Sequence, residues 1–204
     1  MMSDIMSISR LRMGTDGSGI TTLVGFYGCP LDCKYCVNKQ CHNEETARGS
    51  YTADELVRLL SIDEAYYLMT GGGVTFGGGE PLLQAEFIHE VCQKMNHEWH
   101  RTIETSLYAS WDQIQKILYD IDYWYVDIKD INEEIYRAYT GRSNKKVIDN
   151  LTMLSNAVGV DNICVRLPLI PQYNTKEDRE KSWLYLLENI NPNLKVDTFD
   201  YICC

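Results

Sequence analysis

The sequence predicts an α/β fold, a partial and open (β/α)6 TIM-like barrel, within a single domain over residues 1–204. Six short runs of β-branched and aromatic residues alternate with longer amphipathic segments. Such alternation indicates parallel strands joined by right-handed helical crossovers. The composition, 45% hydrophobic and 24% charged, is ordinary for a globular protein. The length of 204 residues is below the roughly 250 that eight such units need, so the barrel is expected to be incomplete.

The individual elements follow from these local patterns. Strands are expected at 20–27, 73–76, 102–104, 123–128, 163–170 and 194–202. Thr52 followed by Glu55 is a capping box that begins a helix, and Ser110 caps another. Further helices are expected at 82–97, 146–158 and 175–190. Because the active sites of parallel barrels lie at the carboxyl ends of the strands, the residues that follow each strand are the functional candidates.

Composition also narrows the function. The net charge of −10 argues against nucleic acid as a partner, because Lys and Arg supply the attraction to phosphates. No apolar run approaches the roughly 18 residues of a membrane span, so no membrane association is expected. The first residues show no secretory signal, so we expect a cytoplasmic protein. Its eight cysteines would then stay reduced, which favours metal or redox chemistry over disulfides.

Three of these cysteines are close together after the first strand. Cys29, Cys33 and Cys36 form a C-x3-C-x2-C run, and thiolates suit zinc or iron–sulfur clusters. A structural zinc site needs four ligands, and Cys41 or His42 would be the fourth. A [4Fe–4S] cluster held by three cysteines would instead leave one iron open to a ligand. The spacing favours the cluster, and zinc remains the alternative.

Polar residues follow the other strands. The candidates are Gly78, Gly79 and Glu80 in a glycine run, Glu104 and Thr105 after the third strand, Asp127 and Lys129 on the fourth, and Arg166 on the fifth. Each has a plain structural interpretation, namely a turn, a neighbouring ion pair or a salt bridge. One ligand would account for all of them, since glycine carbonyls and a carboxylate suit an ammonium group and the cations suit a carboxylate or ribose. An α-amino acid that bears a nucleoside fits this set.

At this point the sequence resembles a known family. The cysteine run with Tyr35, together with Gly78-Gly79-Glu80-Pro81, is similar to the radical S-adenosylmethionine superfamily, whose partial barrel matches the predicted fold. Within it, the chain resembles activating enzymes of glycyl-radical enzymes, of the pyruvate formate-lyase activating type. The resemblance extends over 14–20, 71–84, 127–129 and 139–141.

The resemblance implies a role for each matching residue. Cys29, Cys33 and Cys36 would hold a [4Fe–4S] cluster whose open iron chelates S-adenosylmethionine. The remaining residues would contact that cofactor: Gly78, Gly79 and Glu80 at the amino group, Lys129 at the carboxylate, Tyr35 and Arg166 near the nucleoside, and Glu104, Thr105 and Asp127 at the methionyl or ribose part or at a monovalent cation. Asp16, Gly17 and Gly19 would receive the substrate.

The implied reaction is radical generation. The reduced cluster would cleave S-adenosylmethionine to methionine and a 5′-deoxyadenosyl radical, which takes hydrogen from a glycine of a partner glycyl-radical enzyme. A flavodoxin or ferredoxin would supply the electron. Radical modification of a peptide or small molecule is the alternative, as in deazaguanine-forming or peptide-maturing relatives. A zinc-stabilised binding module and a degenerate, non-catalytic relative are also considered, and the intact motifs argue against both.

Three positions depart from the activating-enzyme pattern. Thr21 stands where the family's Asp-Gly-Pro-Gly-Ile-Arg segment has Arg, which puts the identity of the partner in doubt. Val37 replaces a His that often follows the cluster, and Glu104 replaces a more usual Asp. No second cluster insert lies between Cys36 and Gly78. Cys203 and Cys204 are interpreted as a frayed end.

Overall fold

The fold was established from a computed structural model, which describes residues 1–43 and 48–201. The expectations for Cys203, Cys204 and the end of the last predicted strand therefore lie outside the described residues. The strands are β1 Met2–Met13, β2 Ile20–Phe26, β3 Gly49–Thr52, β4 Gly73–Gly78, β5 His100–Thr105, β6 Tyr123–Asp127, β7 Ile163–Leu169 and β8 Lys195–Asp200. The α-helices are α1 Ala53–Leu60, α2 Glu64–Thr70, α3 Ala85–Lys94, α4 Trp111–Ile117, α5 Glu133–Thr140, α6 Lys145–Val158 and α7 Lys176–Asn189.

The chain divides into two compact units. The first comprises Met1–Cys29, Asn38–Thr105 and Ser110–Trp124, and the second comprises Pro30–Val37, Ser106–Ala109 and Tyr125–Cys204. The strand order of the first unit is β3-β1-β2-β4-β5, and in the second unit β7 pairs with β8. Strand β6 begins in the first unit and ends in the second. The prediction of a single domain over 1–204 stays a prediction.

The predicted α/β class with an open, mainly parallel sheet is confirmed. Parallel pairing joins β2 to β4, β4 to β5 and β7 to β8. Strands β1 and β3 were not predicted, and they are antiparallel additions beside β2. Their sequences explain the omission, because β1 is rich in Met, Ser and Arg and β3 has only four residues, so neither shows a β-branched run.

The core of the first unit lies between the parallel strands and their helices. Phe26 and Phe76 on β2 and β4 are fully buried, and Phe87 of α3 packs edge-on against Phe26 with ring centroids 6.2 Å apart. The capping box at Thr52 and Glu55 begins α1 as predicted, and Ser110 caps α4. The predicted helix at 82–97 is shorter, since a 3-10 turn at Pro81–Gln84 precedes α3. Proline at the first position of that turn has no N–H to donate.

Helix α7 follows the same local rule in the second unit. Thr175 forms a capping box with Asp178 at the start of this helix, as the predicted boundary at 175 requires. Helix α5 was not predicted, although Asn132 caps its first turn and Gly141 ends it in a left-handed conformation. These elements place the residues after β6 and β7, where several of the candidates lie.

Candidate functional site

The cysteine loop follows β2, and its two ends are fixed by backbone hydrogen bonds. In the first unit, the N–H of Gly28 donates to the carbonyl of Cys41 at 2.8 Å, and the N–H of Glu80 donates to the carbonyl of Gly28 at 2.7 Å. The side chain of Asn38 donates to the carbonyl of Gly78 at 2.9 Å. These bonds connect Gly28 and Asn38, which flank the loop, to the end of β4 and the residues after it.

In the second unit, the loop is held by the end of α5. The N–H groups of Asp32 and Lys34 donate to the carbonyls of Thr140 and Tyr139, at 2.9 and 3.2 Å. The Tyr35 ring packs against Tyr139, with ring centroids 6.2 Å apart. This explains the Tyr-Thr-Gly segment at 139–141 in physical terms, because its carbonyls and one ring support the loop that carries Cys33 and Cys36.

The cysteine loop carries three sulfur donors on one short segment. Cys29, Cys33 and Cys36 are half-buried thiols, and burial raises the pKa of Cys33 to about 11. Soft sulfur donors are the ligands that an iron–sulfur cluster takes, and each would bind its own iron as a thiolate. A structural zinc site would need a fourth ligand in addition to these three.

The two candidates for a fourth zinc ligand have different surroundings. The side chain of Cys41 lies in a small apolar cluster with Met6 and Tyr27 and is 1% exposed. Cys29 packs against the same cluster. His42, the other candidate, is exposed to solvent. The surroundings of Cys41 are those of a cysteine that packs as a small apolar side chain.

The Glu80 side chain, predicted to contact the amino group of the cofactor, is 1% exposed. Its Oε1 atom accepts a hydrogen bond from the hydroxyl of Thr105 at 2.5 Å and a second one from the N–H of Leu82 at 3.3 Å. The carboxylate therefore joins the segments that follow β4 and end β5.

Gly79 is required by the close approach of two backbone segments. A Cβ atom on Gly79 would lie 2.2 Å from the carbonyl oxygen of Gly28 and 3.1 Å from that of Phe26. Any side chain there would push the end of β4 away from the start of the cysteine loop. The second glycine of the predicted motif thus has a steric reason to be glycine.

The predicted substrate residues lie before β2, at the amino end of the parallel strands of the first unit. Arg12 forms a two-point ion pair with the carboxylate of Asp16, and the hydroxyl of Thr75 donates to the Asp16 carbonyl. Gly17 has a φ of +147°, and a Cβ there would lie 3.2 Å from Thr102. Asp16 is buried at 5% exposure, so this loop is fixed against β4 and β5.

The same face of the sheet connects this loop to Glu104. Thr75 and Gly77 are two apart on β4, and Thr102 and Glu104 are two apart on β5, so all four share one face. A Cβ on Gly77 would lie 3.5 Å from a carboxylate oxygen of Glu104. Thr102 contacts the Asp16–Gly17 segment, and Glu104 lies two residues further along β5, about 7 Å away.

A charged group lies at the end of β6 and within β7 in the second unit. One carboxylate oxygen of Asp127 accepts from Arg166 at 2.7 Å, and the other accepts from Lys129 at 3.2 Å. The Arg166 guanidinium lies over the Tyr125 ring, 5.1 Å from its centroid. The ammonium of Lys129 lies 3.4 Å from the hydroxyl of Tyr201. The neighbouring ion pair and the salt bridge considered from sequence are therefore both formed.

Burial and charge act against each other in this group. Burial disfavours ionisation of Asp127, but the charges of Lys129 and Arg166 outweigh it and hold the pKa of Asp127 below its usual range. Burial likewise disfavours the Lys129 ammonium, yet the Asp127 carboxylate raises the pKa of Lys129 well above its usual range. Lys129 is 7% exposed and stays charged. It offers a fixed positive charge to an anionic ligand.

Sequence reasoning missed a buried polar network directly after Lys129. The Asp130 carboxylate accepts from the side chain of Asn174 at 3.0 Å, from Ser182 at 3.3 Å and from the N–H of Asn132 at 2.8 Å. Asn174 in turn accepts from the N–H of Ile170 at 2.6 Å. The network ties the residues after β6 to those after β7 and to α7. The only signal in the sequence is Asp130 itself, an acid next to the predicted Lys129.

No helix of the described ranges is long and apolar enough to cross a membrane.

The chain matches the model of the radical SAM superfamily over residues 23–182. It is 36% identical to the 4-hydroxyphenylacetate decarboxylase activating enzyme of Clostridioides difficile strain 630, over 87% of this chain and 74% of that protein. It is 32% identical to the pyruvate formate-lyase-activating enzyme of Clostridium pasteurianum, over 98% and 83%.

Solved structures agree at the level of the fold. Streptococcus suis SuiB bound to the precursor peptide SuiA superposes with a TM-score of 0.65 at 15% identity, over 87% of this chain and 38% of that chain. The fold, the cysteine loop and a sequence match over residues 23–182 thus all point to the same superfamily. The chain belongs to the radical SAM superfamily and is an enzyme related to the activating enzymes of glycyl-radical enzymes.

Proposed function

We propose that this protein reductively cleaves S-adenosylmethionine and uses the resulting 5′-deoxyadenosyl radical to take a hydrogen atom from a glycine of a partner protein. The observation that carries the proposal is the C-x3-C-x2-C loop after β2 in a chain of the radical SAM superfamily. Membership of that superfamily implies a [4Fe–4S] cluster and S-adenosylmethionine. When bound, the cluster supplies the single electron that cleaves the sulfonium.

The residues of the loop would hold the cluster. Cys29, Cys33 and Cys36 would ligate it as thiolates and would leave one iron available to S-adenosylmethionine. Tyr35 packs beside this loop on Tyr139 and lies near the nucleoside. The half-buried state of the thiols restricts the access of water to the reacting atoms.

The remaining residues bind and orient the cofactor. The backbone of Gly78 and Gly79 receives the methionyl amino group, and Glu80 positions that backbone through its bond to Thr105. Lys129 pairs with the methionyl carboxylate, and Arg166 lies near the nucleoside. A cationic side chain can pair with the carboxylate and donate hydrogen bonds to ribose oxygens.

Glu104, Thr105 and Asp127 provide oxygen atoms for the methionyl or ribose part of the cofactor. They also suit a monovalent cation, which prefers oxygen ligands as other hard cations do. The ion pairs of Asp127 with Lys129 and Arg166 mean that this carboxylate must share its oxygens with two cations. Such a cation would therefore depend mainly on Glu104 and Thr105.

The protein substrate is supported by the relatives and by the first unit. The two curated relatives named above activate 4-hydroxyphenylacetate decarboxylase and pyruvate formate-lyase. Asp16, Gly17 and Gly19 form a fixed loop at one end of a face whose small residues Thr75 and Thr102 are buried, and Glu104 lies further along that face. We assign the glycine-containing segment to this loop, because a segment without a bulky side chain at its centre can approach a backbone closely.

A radical enzyme that modifies a free peptide or a small molecule is the second candidate. It would use the same cysteine loop and cofactor contacts. Thr21 favours this alternative, since the family's activating enzymes have Arg at this position of the segment that receives the glycyl loop.

The test is anaerobic reconstitution followed by two assays. The purified protein is loaded with iron and sulfide, and iron and zinc are counted by elemental analysis. After chemical reduction, 5′-deoxyadenosine and methionine are expected in equal amounts. With pyruvate formate-lyase or 4-hydroxyphenylacetate decarboxylase added, an oxygen-sensitive doublet radical is expected in the electron paramagnetic resonance spectrum.

Each assay can contradict a different part of the proposal. Tightly bound zinc without iron, or no deoxyadenosine, would refute radical generation. Deoxyadenosine without a radical on either partner, together with turnover of a peptide or small molecule in a cell extract, would refute the glycine target and support the second candidate.

A further inference from the structure

The loop with Cys33 and Cys36 is bonded to a surface whose charge is opposite to that of the chain. Residues 137–146 contain four cations and no acid, whereas the whole chain carries a net charge of −10. We define the basic patch as Arg137, Arg142, Lys145 and Lys146. All four side chains are exposed. Glu133 pairs with Arg137 and also interacts electrostatically with Lys145, so Arg142 and Lys146 give the patch most of its positive potential.

The patch is attached to the cysteine loop by direct contacts within the second unit. The guanidinium of Arg142 donates to the carbonyl of Pro30 at 3.1 Å. Two residues earlier, the Thr140 carbonyl accepts from the N–H of Asp32 at 2.9 Å. Lys145 follows Arg142 by three residues, so their Cα atoms lie within about 11 Å of each other. A protein bound at the patch would thus lie beside the loop.

Lys145 and Lys146 stand where a helix disfavours positive charge. They are the first two residues of α6, and the first turn of this helix contains no acid. The amino end of a helix carries partial positive charge, which disfavours cations there. Lys146 lies over the Tyr108 ring, 5.1 Å from its centroid, and Lys145 interacts electrostatically with Glu133. These contacts offset part of the cost, but helix geometry itself gives no reason for two exposed cations here.

The proposed function needs one electron from outside for each cleavage, and the electron must enter next to the cysteine loop. We propose that the basic patch is the docking surface for an acidic one-electron carrier protein. The carrier loses one electron and the cluster held by the loop gains it, after which the oxidised carrier dissociates. This inference rests on the proposed function and specifies where its reductant binds.

The test compares the double variant Lys145→Glu/Lys146→Glu with the matched control Lys176→Glu/Lys181→Glu on α7. Both lysines of the control are exposed and belong to the same unit, and the change in net charge is equal. The first reading is the Kd for a purified acidic flavodoxin, measured by calorimetry without turnover. We expect the patch variant to raise this Kd about tenfold and the control less than twofold. Added salt should raise the Kd of the wild-type protein toward that of the patch variant, because salt screens the attraction between charges.

The second reading is deoxyadenosine formation with flavodoxin or with photoreduced deazaflavin, a small neutral donor. The patch variant should have a raised KM for flavodoxin and unchanged turnover with deazaflavin. Equal Kd values for the two variants, or equal losses with both donors, would overturn the inference. A raised KM for the partner glycyl-radical enzyme alone would assign the patch to that protein and also overturn it. Absence of deoxyadenosine in the wild type with deazaflavin would instead refute the proposed function.

Discussion

The two units present candidate residues in contrasting ways. In the first unit, Gly79 and Glu80 offer backbone groups, and the Oε1 atom of Glu80 accepts hydrogen bonds from Thr105 and Leu82. In the second unit, Asp127 holds two cations in place by charge. Substitutions at these sites of the first unit should therefore lower stability through steric conflict, whereas those in the second unit should lower it by leaving charges uncompensated. The following variants separate these two effects.

Asp127→Ala is expected to have the largest effect on stability. It leaves Lys129 and Arg166 without their shared carboxylate. The Asp127 side chain is 24% exposed, so the loss in the free energy of unfolding is expected at the lower end of the range for breaking a buried pair from one side, about 3 kcal/mol. Urea unfolding at pH 7 measures this, and Asp161→Ala on an exposed turn is the control, with a change below about 0.5 kcal/mol.

The pH dependence of the Asp127 effect has a definite sign. Because the folded pKa of Asp127 is lowered, its contribution is present above the unfolded pKa of about 3.9 and is lost as the pH falls further. The difference between wild type and variant should therefore shrink below about pH 4. A difference that grows in acid would contradict the electrostatic account.

Gly79→Ala tests the steric account of the first unit. Its Cβ would lie 2.2 Å from a backbone oxygen, so the segments must separate, at a cost of about 2 kcal/mol. Gly71→Ala is the matched control, since it meets no atom within 4 Å but has a φ of +66°. That control should lose about 1 kcal/mol from backbone strain, and this loss should not change with pH. Equal unfolding energies for both variants would remove the steric argument.

Asp130→Asn is expected to have the smallest effect of the three. The amide loses one acceptor and places a donor against Asn174, at a cost of about 1.5 kcal/mol. Because the network adjoins Lys129, affinity for S-adenosylmethionine should also fall several-fold, as measured by equilibrium dialysis. Unchanged affinity with lowered stability would restrict Asp130 to a structural role.

The sequence was sufficient for the elements with strong local signals. Six strands, the capping box at Thr52, the cap at Ser110 and the glycine motif follow from periodicity and residue type. The partner of Glu80 did not, because Thr105 reaches it through strand pairing, whereas the Asp127–Lys129 pair and a salt bridge of Arg166 were already considered from sequence. Strand β1 was missed for a related reason, since its pairing with β2 rather than its own residues makes it a strand.

The most direct test of the central claim is the comparison of Cys33→Ala with Cys164→Ala. Both are free thiols, but Cys164 is buried on β7, outside the cysteine loop. After anaerobic reconstitution, the account predicts that Cys164→Ala keeps near wild-type iron content and deoxyadenosine formation. Cys33→Ala should lose both, with cleavage reduced at least about a thousandfold. Full cleavage by Cys33→Ala, or equal loss in the two variants, would contradict the assignment of the loop as the site of radical generation.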